Sequence, residues 1–372
     1  MKRISVLIKP ASGLCNIRCQ YCFYANVSSL REVDSYGKMS LETMTKMIEN
    51  IFVDLENGDQ LTLAFQGGEP TLAGLNYFQK MVETVQNQSK KVQVNYALQT
   101  NGLLITEKWC QFLKEHHFLV GLSIDGHPLY HDLHRLDTKG KGTFQRVLLT
   151  KKLFDQHHID YNVLCVLTNP LAKEAKKVYR FLQKENIQYL QFIPCLDELY
   201  AEKRSSYALT PERFASFYQQ ILKFWLKELN EGTYRSIKLF DDVFHLFRTK
   251  QVNACGLTGS CQIQYVIEAD GSVYPCDFYV LDDYRLGYIQ EKTLKHLFEE
   301  AISVQFLCEP YQTEAFCQSC PFLTSCHGGC KRMKEAMYVN KDHDFCGYQT
   351  FLANYLPHLQ EIDQLVRHLP RT

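Results

Sequence analysis

The sequence predicts an α/β fold of parallel strands, in a sheet or barrel, followed by a cysteine-rich second domain. Three observations carry that expectation. Six short apolar runs rich in β-branched residues alternate with longer helical patterns between residues 5 and 194. The loops after those runs carry turn-forming and polar residues. Beyond about residue 235 the alternation stops and cysteine becomes dense.

The runs are SVLIKP (5–10), LTLAF (61–65), VQVNYALQ (92–99), FLVGLSI (118–124), YNVLCVL (161–167) and YLQFIP (189–194). Helix start signals stand between them: Ser40 before LETMTKMIENIF, Thr106 before EKWCQFLKEH, and Thr210 followed by Pro211 at the first helical position. Parallel strands joined by helical crossovers place an active end at the strand C-termini. The loops there read ASGLCNIRCQYC, QGGEPT, TNG, DGHPLYHDLHR, TNP and CLDE. Glycine, proline and asparagine in five of the six permit tight turns and close backbone approach to a ligand.

With 372 residues and 45 % hydrophobic content the chain can bury one large domain and a smaller one. The boundary is placed at 1–235 and 236–372. In the second part IEADGSVYPCDFY reads as a hairpin turning at Asp270-Gly271, and the missing low-complexity linker favours a domain packed on the first. Forty-one basic and 41 acidic side chains cancel, which argues against nucleic acid and anionic membrane as partners. The apolar run near the N-terminus ends at Lys9-Pro10, too short for a signal peptide, and no stretch approaches a membrane span. A cytoplasmic protein is expected.

Fifteen cysteines in a reducing compartment point to metal rather than to disulfides. Cys15, Cys19 and Cys22 follow the first strand. Eight more form the series Cys255-x5-Cys261-x14-Cys276 and Cys317-x2-Cys320-x5-Cys326-x3-Cys330-x15-Cys346, while Cys110, Cys165, Cys195 and Cys308 are scattered. A closed zinc site needs four ligands and the first group has no close fourth, whereas a four-iron cluster held by three thiolates keeps one iron open. A zinc site completed by a distant histidine is the alternative. The eight later thiols make two sets of four, and spacing alone does not choose their metal.

The C-x3-C-x2-C motif after the first strand, with GGEP after the second, resembles the radical S-adenosylmethionine (SAM) enzymes. That resemblance implies a partial (β/α)6 TIM-like barrel. In the family, one electron from the cluster splits S-adenosylmethionine and yields a 5′-deoxyadenosyl radical. It makes Cys15, Cys19 and Cys22 the cluster ligands and the Gly67-Gly68-Glu69 backbone the docking edge for the methionine amino group. Ser123 and Arg135 match positions that hold the ribose and the methionine carboxylate, and Tyr21 and Leu196 positions near the adenine.

The later cysteines, with Gly271 between Cys261 and Cys276, resemble the SPASM extension of that family. By that resemblance Cys255, Cys261, Cys276 and Cys330 hold one auxiliary [4Fe-4S] cluster and Cys317, Cys320, Cys326 and Cys346 another, three clusters in all. Within the SPASM group the chain is most similar to the anaerobic sulfatase-maturating enzymes, through IKPAS, LCNIRCQYCFY, FQGGEPTLAG, LQTNG and DGSVYPCDFYVLD. These oxidise a cysteine or serine of a sulfatase to Cα-formylglycine.

The resemblance implies that Asp277, beside Cys276, is the base that takes the hydroxyl or thiol proton as an electron leaves for an auxiliary cluster. Tyr24 and Gln66 match substrate-contacting positions. The implied partners are an unfolded sulfatase segment of C-x-P-x-R or S-x-A-x-R type and reduced flavodoxin or ferredoxin, with the enzyme a monomer. The alternatives are another SPASM maturase forming thioether or carbon–carbon crosslinks, and a non-enzymatic cysteine-rich metal-binding protein.

Overall fold

Each of the six apolar runs is a strand: β1 Arg3–Ile8, β2 Gln60–Phe65, β3 Gln93–Thr100, β4 Leu119–Ser123, β5 Tyr161–Leu167 and β6 Tyr189–Pro194. The structure, a computed structural model, describes residues 1–251, 254–309 and 313–369. β1 begins and ends two residues earlier than the sequence run suggests. Pro10 has no N–H with which to continue a ladder, and Lys9 and Pro10 instead open the loop that carries the first cysteines.

The chain forms two compact units, the first comprising Met1–Ser123, His134–Tyr161 and Gln262–Glu309, the second the remaining described residues. In the first, β1 to β4 lie side by side and parallel, with Leu7, Ala64, Ala97 and Leu119 in register. The other edge of β1 pairs in parallel with Val266–Ile267, which turns back antiparallel into Ser272–Tyr274. This is the hairpin expected at Asp270-Gly271. Gly271 takes φ +88°, a conformation that L side chains rarely adopt. Because the hairpin is stitched to β1, Cys276 and Asp277 lie in the same unit as the N-terminal cysteine loop.

The helix Leu41–Val53 buries Met44, Met47, Ile48, Ile51 and Phe52, a spacing that puts them on one face. Ser40 caps it as expected, its hydroxyl accepting the Thr43 N–H at 3.0 Å. The helix Glu107–Glu115 starts after Thr106 without a side-chain cap bond. Phe65, Phe78, Trp109 and Phe118 form an aromatic cluster beneath β2. Burial of each such ring contributes about 1.5–3 kcal/mol.

In the second unit β5 and β6 run parallel, with Val163 opposite Leu190, and Ser236–Ile237 pairs in parallel with β6. The helix Pro211–Asn230 is capped by Thr210, which accepts the Arg213 N–H at 3.3 Å. Its buried face, including Phe214, Tyr218 and Trp225, meets Phe240 and Phe351. The Trp225 indole donates to the Arg235 carbonyl at 2.7 Å, so its polar atom is satisfied inside the core. No helix among the described residues is long and apolar enough to cross a membrane.

Ser40→Ala leaves the Thr43 N–H without its protein acceptor and is expected to lower unfolding stability by about 1 kcal/mol. Urea titration followed by far-UV circular dichroism measures it, and an unchanged midpoint would show that the cap contributes nothing.

Candidate active site

Three of the loops that follow the strands meet in the first unit. The Gly68 N–H donates to the Ser12 carbonyl and the Glu69 N–H to the Leu14 carbonyl, both at 2.8 Å, so the GGE edge is zipped to the cysteine loop. With these two N–H groups spent, the edge has carbonyl oxygens left to offer, which suit an ammonium donor. A Cβ on Gly68 would lie 2.0 Å from the Leu14 carbonyl oxygen, one residue before Cys15. Only glycine lets the loop approach this closely.

The Glu69 side chain serves the fold. It is 1 % exposed and accepts from the Thr71 N–H and hydroxyl at 3.1 and 2.6 Å, the Thr100 hydroxyl at 2.8 Å and the Asn101 N–H at 2.7 Å. Burial pushes its pKa up and these donors pull it back. Asn101, so held, donates from its amide to Asn16 Oδ1 at 2.7 Å and to Cys15 Sγ at 3.8 Å. The TNG loop thus braces the first cysteine, a role that neither asparagine nor glycine announces in a sequence full of such turns.

Ile17–Cys19 pairs antiparallel with Arg135–Asp137, putting Arg135 opposite Cys19. Arg135 is buried, and its guanidinium donates to the Tyr21 hydroxyl at 3.1 Å. Burial pushes the Cys15 and Cys22 thiols up, and the Arg135 charge acts against that. The structure therefore gathers Cys15, Cys19, Cys22, Tyr21, Gly67, Gly68, Glu69 and Arg135 on one face. Ser123 ends β4, half-buried, in the same unit, and Leu196 follows β6 in the second.

Asp277 is held from two sides. Lys9 Nζ pairs with Oδ1 at 2.6 Å and Gln66 Nε2 donates to Oδ2 at 2.5 Å, while the Asp277 N–H donates to Gln264 Oε1 at 3.2 Å. Lys9 is wholly buried, with Nζ 3.7 Å above the centre of the Tyr24 ring. The Tyr24 hydroxyl donates to Glu268, which also pairs with Arg31 at 2.9 Å. Burial pushes the Glu268 carboxyl up to about 7 against the pull of Lys9. Tyr24 and Gln66 are thus both brought to Asp277, the first through Lys9 and the second directly. Lys9, Glu268 and Asn101 were missed in the sequence. The signal for Lys9 was available: a cation at the C-terminal end of a strand, beside the cysteine loop.

In the second unit Cys255, Cys261 and Cys330 are neighbours. Burial, then the charges of Cys330 and Cys261, push Cys255 up to about 11. A Cβ on Gly256 would come within 2.8 Å of the Cys330 Cβ. Cys317, Cys320, Cys326 and Cys346 line a single cavity together with Phe316, Phe322 and Tyr348. Burial pushes Cys346 up to about 11, and the charges of Cys326 and Cys317 add to it. Four thiols around one cavity, which would repel one another as thiolates, are a donor set that a cationic iron core satisfies. Among the described residues no three His, Cys, Asp or Glu side chains converge on a point for a single metal ion. Cys110, Cys165 and Cys195 are buried and Cys308 is exposed.

Comparison with known proteins follows this geometry. Residues 10–182 match the radical SAM superfamily and residues 255–321 the SPASM iron–sulfur cluster-binding domain. A cysteine-type anaerobic sulfatase-maturating enzyme of Clostridium perfringens (strain ATCC 13124) is 42 % identical over 90 % of this chain and 91 % of its own. That of Clostridium novyi is 36 % identical over 99 % of both chains. The chain belongs to the anaerobic sulfatase-maturating enzymes.

The serine-type enzyme of Bacteroides thetaiotaomicron is 28 % identical over 96 % of this chain and 91 % of its own. Among solved structures, native anSMEcpe with bound AdoMet superposes with a TM-score of 0.89 at 39 % identity, covering 97 % of this chain and 99 % of that one. The same protein with AdoMet and the Cp18Cys peptide gives 0.89 at 38 %, covering 98 % and 99 %. The fold class expected from the sequence, an α/β radical SAM domain followed by a SPASM domain, is the one observed.

Gly68→Ala is expected to displace the Cys15 loop. After anaerobic reconstitution it should hold about four irons fewer per chain than wild type, measured by iron and sulfide assay. Full loading would show that the loop tolerates a side chain there.

Proposed function

We propose that this enzyme oxidises a cysteine side chain of a sulfatase segment to Cα-formylglycine in the cytoplasm, using S-adenosylmethionine and three [4Fe-4S] clusters. The observation that carries the reading is the Lys9–Asp277–Gln66 arrangement, with its wholly buried lysine, beside the cysteine loop in a chain that belongs to this enzyme family. Cys15, Cys19 and Cys22 would hold the cluster that binds S-adenosylmethionine. Cys255, Cys261, Cys276 and Cys330 would hold one auxiliary cluster and Cys317, Cys320, Cys326 and Cys346 the other, within a domain spanning 236–372. When bound, these groups supply the radical that takes a hydrogen atom from the substrate Cβ and the acceptor for the electron that leaves.

The chain's own residues do the rest. By the family resemblance Arg135 would take the methionine carboxylate, the Gly67-Gly68-Glu69 backbone its amino group, Ser123 the ribose, and Tyr21 and Leu196 would lie near the adenine. Asp277 receives the thiol proton. Each of its oxygens has one donor already, so the carboxylate is oriented and retains lone pairs for the incoming proton. Lys9 compensates the charge of Asp277 where water is scarce, and the Tyr24 ring under Lys9 shapes the same wall. Loss of one hydrogen atom, one proton and one electron turns the thiol into a thioaldehyde. Water then hydrolyses it to the aldehyde with release of hydrogen sulfide.

Higher identity to the cysteine-type than to the serine-type relatives supports a C-x-P-x-R substrate over S-x-A-x-R. Reduced flavodoxin or ferredoxin is the proposed electron donor, and the enzyme the proposed monomer. A crosslinking maturase remains the second reading. Structures of Streptococcus suis SuiB share the fold at a TM-score of 0.63 and 14 % identity, which carries no activity across.

The test is anaerobic incubation of reconstituted enzyme with S-adenosylmethionine, reductant and cysteine- or serine-type sulfatase peptides, following peptide mass and 5′-deoxyadenosine together. The cysteine peptide is expected to lose its thiol for an aldehyde, and 5′-deoxyadenosine without aldehyde would sink the maturase reading while sparing the radical class. Asp277→Asn should lower aldehyde formation by about 10²–10⁴-fold. Lys9→Met, which removes the counter-charge but not the carboxylate, should depress kcat more than it raises KM. Wild-type turnover in either variant would remove that residue from the proton step.

A further inference from the structure

The cavity framed by Cys317, Cys320, Cys326 and Cys346 has one polar group that nothing described so far uses. Tyr348 lines it, two residues past Cys346. It is 1 % exposed, and its hydroxyl has no hydrogen-bond partner. An orphaned hydroxyl in a protein interior costs about 1–3 kcal/mol, so its presence calls for an acceptor. The ring cannot easily turn away, because Tyr338 packs against it at 5.1 Å and Phe351 at 5.9 Å between centroids.

The surroundings narrow what that acceptor is. Tyr338, the other phenol of the cavity, donates to the Gly256 carbonyl at 3.1 Å. A Cβ on Gly329 would overlap its ring at 2.0 Å, so a glycine makes room for this pair of tyrosines. Two of the four sulfurs already accept backbone donors: Cys326 from the Gly328 N–H at 3.5 Å and Cys346 from the Gln349 N–H at 3.3 Å. Burial, then the charges of Cys326, Asp242 and Cys346, push the Tyr348 pKa up. The remaining lining is apolar apart from the thiols and Gln349. Beside the Gln349 amide, sulfur is the acceptor chemistry that this cavity offers.

We propose that Tyr348 donates an O–H···S hydrogen bond to the iron–sulfur cluster held by Cys317, Cys320, Cys326 and Cys346 and thereby raises its reduction potential. The proposal rests on the reading that these cysteines carry a cluster. A donor aimed at a cluster sulfur stabilises the reduced, more negative state over the oxidised one. With no charged side chain lining the cavity, that phenol adds a third donor to the two backbone N–H groups that already reach sulfur. A raised potential makes this cluster the better electron acceptor. Tyr348 is in this sense a positioning residue for the electron, distant in role from the proton chemistry at Asp277.

The test uses the full-length enzyme reconstituted anaerobically, with iron and sulfide counted and cluster potentials measured by redox titration followed by electron paramagnetic resonance. Cys317→Ala with Cys346→Ala identifies the signal, and is expected to cost about four irons per chain. Tyr348→Phe keeps the ring and is expected to hold the wild-type iron content while this midpoint alone moves to lower potential. Tyr348→Met, which removes ring and hydroxyl together, should move it in the same direction. Full iron with an unmoved or raised midpoint in Tyr348→Phe overturns the tyrosine's role alone. Full iron in the double cysteine variant overturns the cluster assignment and this proposal with it.

Discussion

The Glu69 carboxylate is the interaction on which the first unit's active face depends. A buried carboxylate is tolerated only when donors surround it, and Glu69 finds them on two separate stretches of chain: Thr71 in its own turn, and Thr100-Asn101 at the end of β3. By satisfying itself it fixes the GGEP turn and the TNG turn against each other. The Asn101 amide, in turn, reaches Asn16 and Cys15. One acid therefore sets the position of the first cysteine without contacting it. Ordinary turn chemistry would leave each loop free to relax separately; a shared buried charge couples them.

An ion pair organises the surroundings of Asp277. Lys9 and Asp277 are both largely withdrawn from solvent, 1 % and 13 % exposed in their side chains. Desolvating two such ions is unfavourable, and a pair like this gains little stability over apolar packing. What the pair does supply is orientation: a carboxylate beside a buried ammonium is held in one geometry. The Arg31–Glu268 pair repeats the arrangement one layer deeper and holds the Tyr24 hydroxyl. The surroundings of Asp277 are thus built from two ion pairs with an aromatic ring between them.

The second unit solves a different problem. Its cysteines are close enough to repel as thiolates, and burial raises the thiols further, so the polypeptide alone is poorly satisfied there. Glycines at 256 and 329, where a Cβ would strike Cys330 and Tyr338, allow the chain to crowd thiols and phenols into one place. Such crowding is the mark of a site completed by something other than protein.

Much of the local structure was legible in the sequence. Six apolar runs became six strands, Ser40 and Thr210 became caps, and Asp270-Gly271 became a turn, because periodicity, capping and turn preference act over a few residues. The cysteine spacings and GGEP pointed to the chemistry for the same reason: a cluster or a close backbone approach demands particular residues at short intervals. What only the tertiary structure decided was which distant groups share an environment. Lys9 meets Asp277 across 268 residues, Tyr24 meets Glu268 across 244, and Tyr348, its buried hydroxyl without a partner, lines the cavity of the four cysteines. Those relations follow from strand order and burial, and a lysine or tyrosine carries no mark in the sequence of whether water or a carboxylate will be its neighbour.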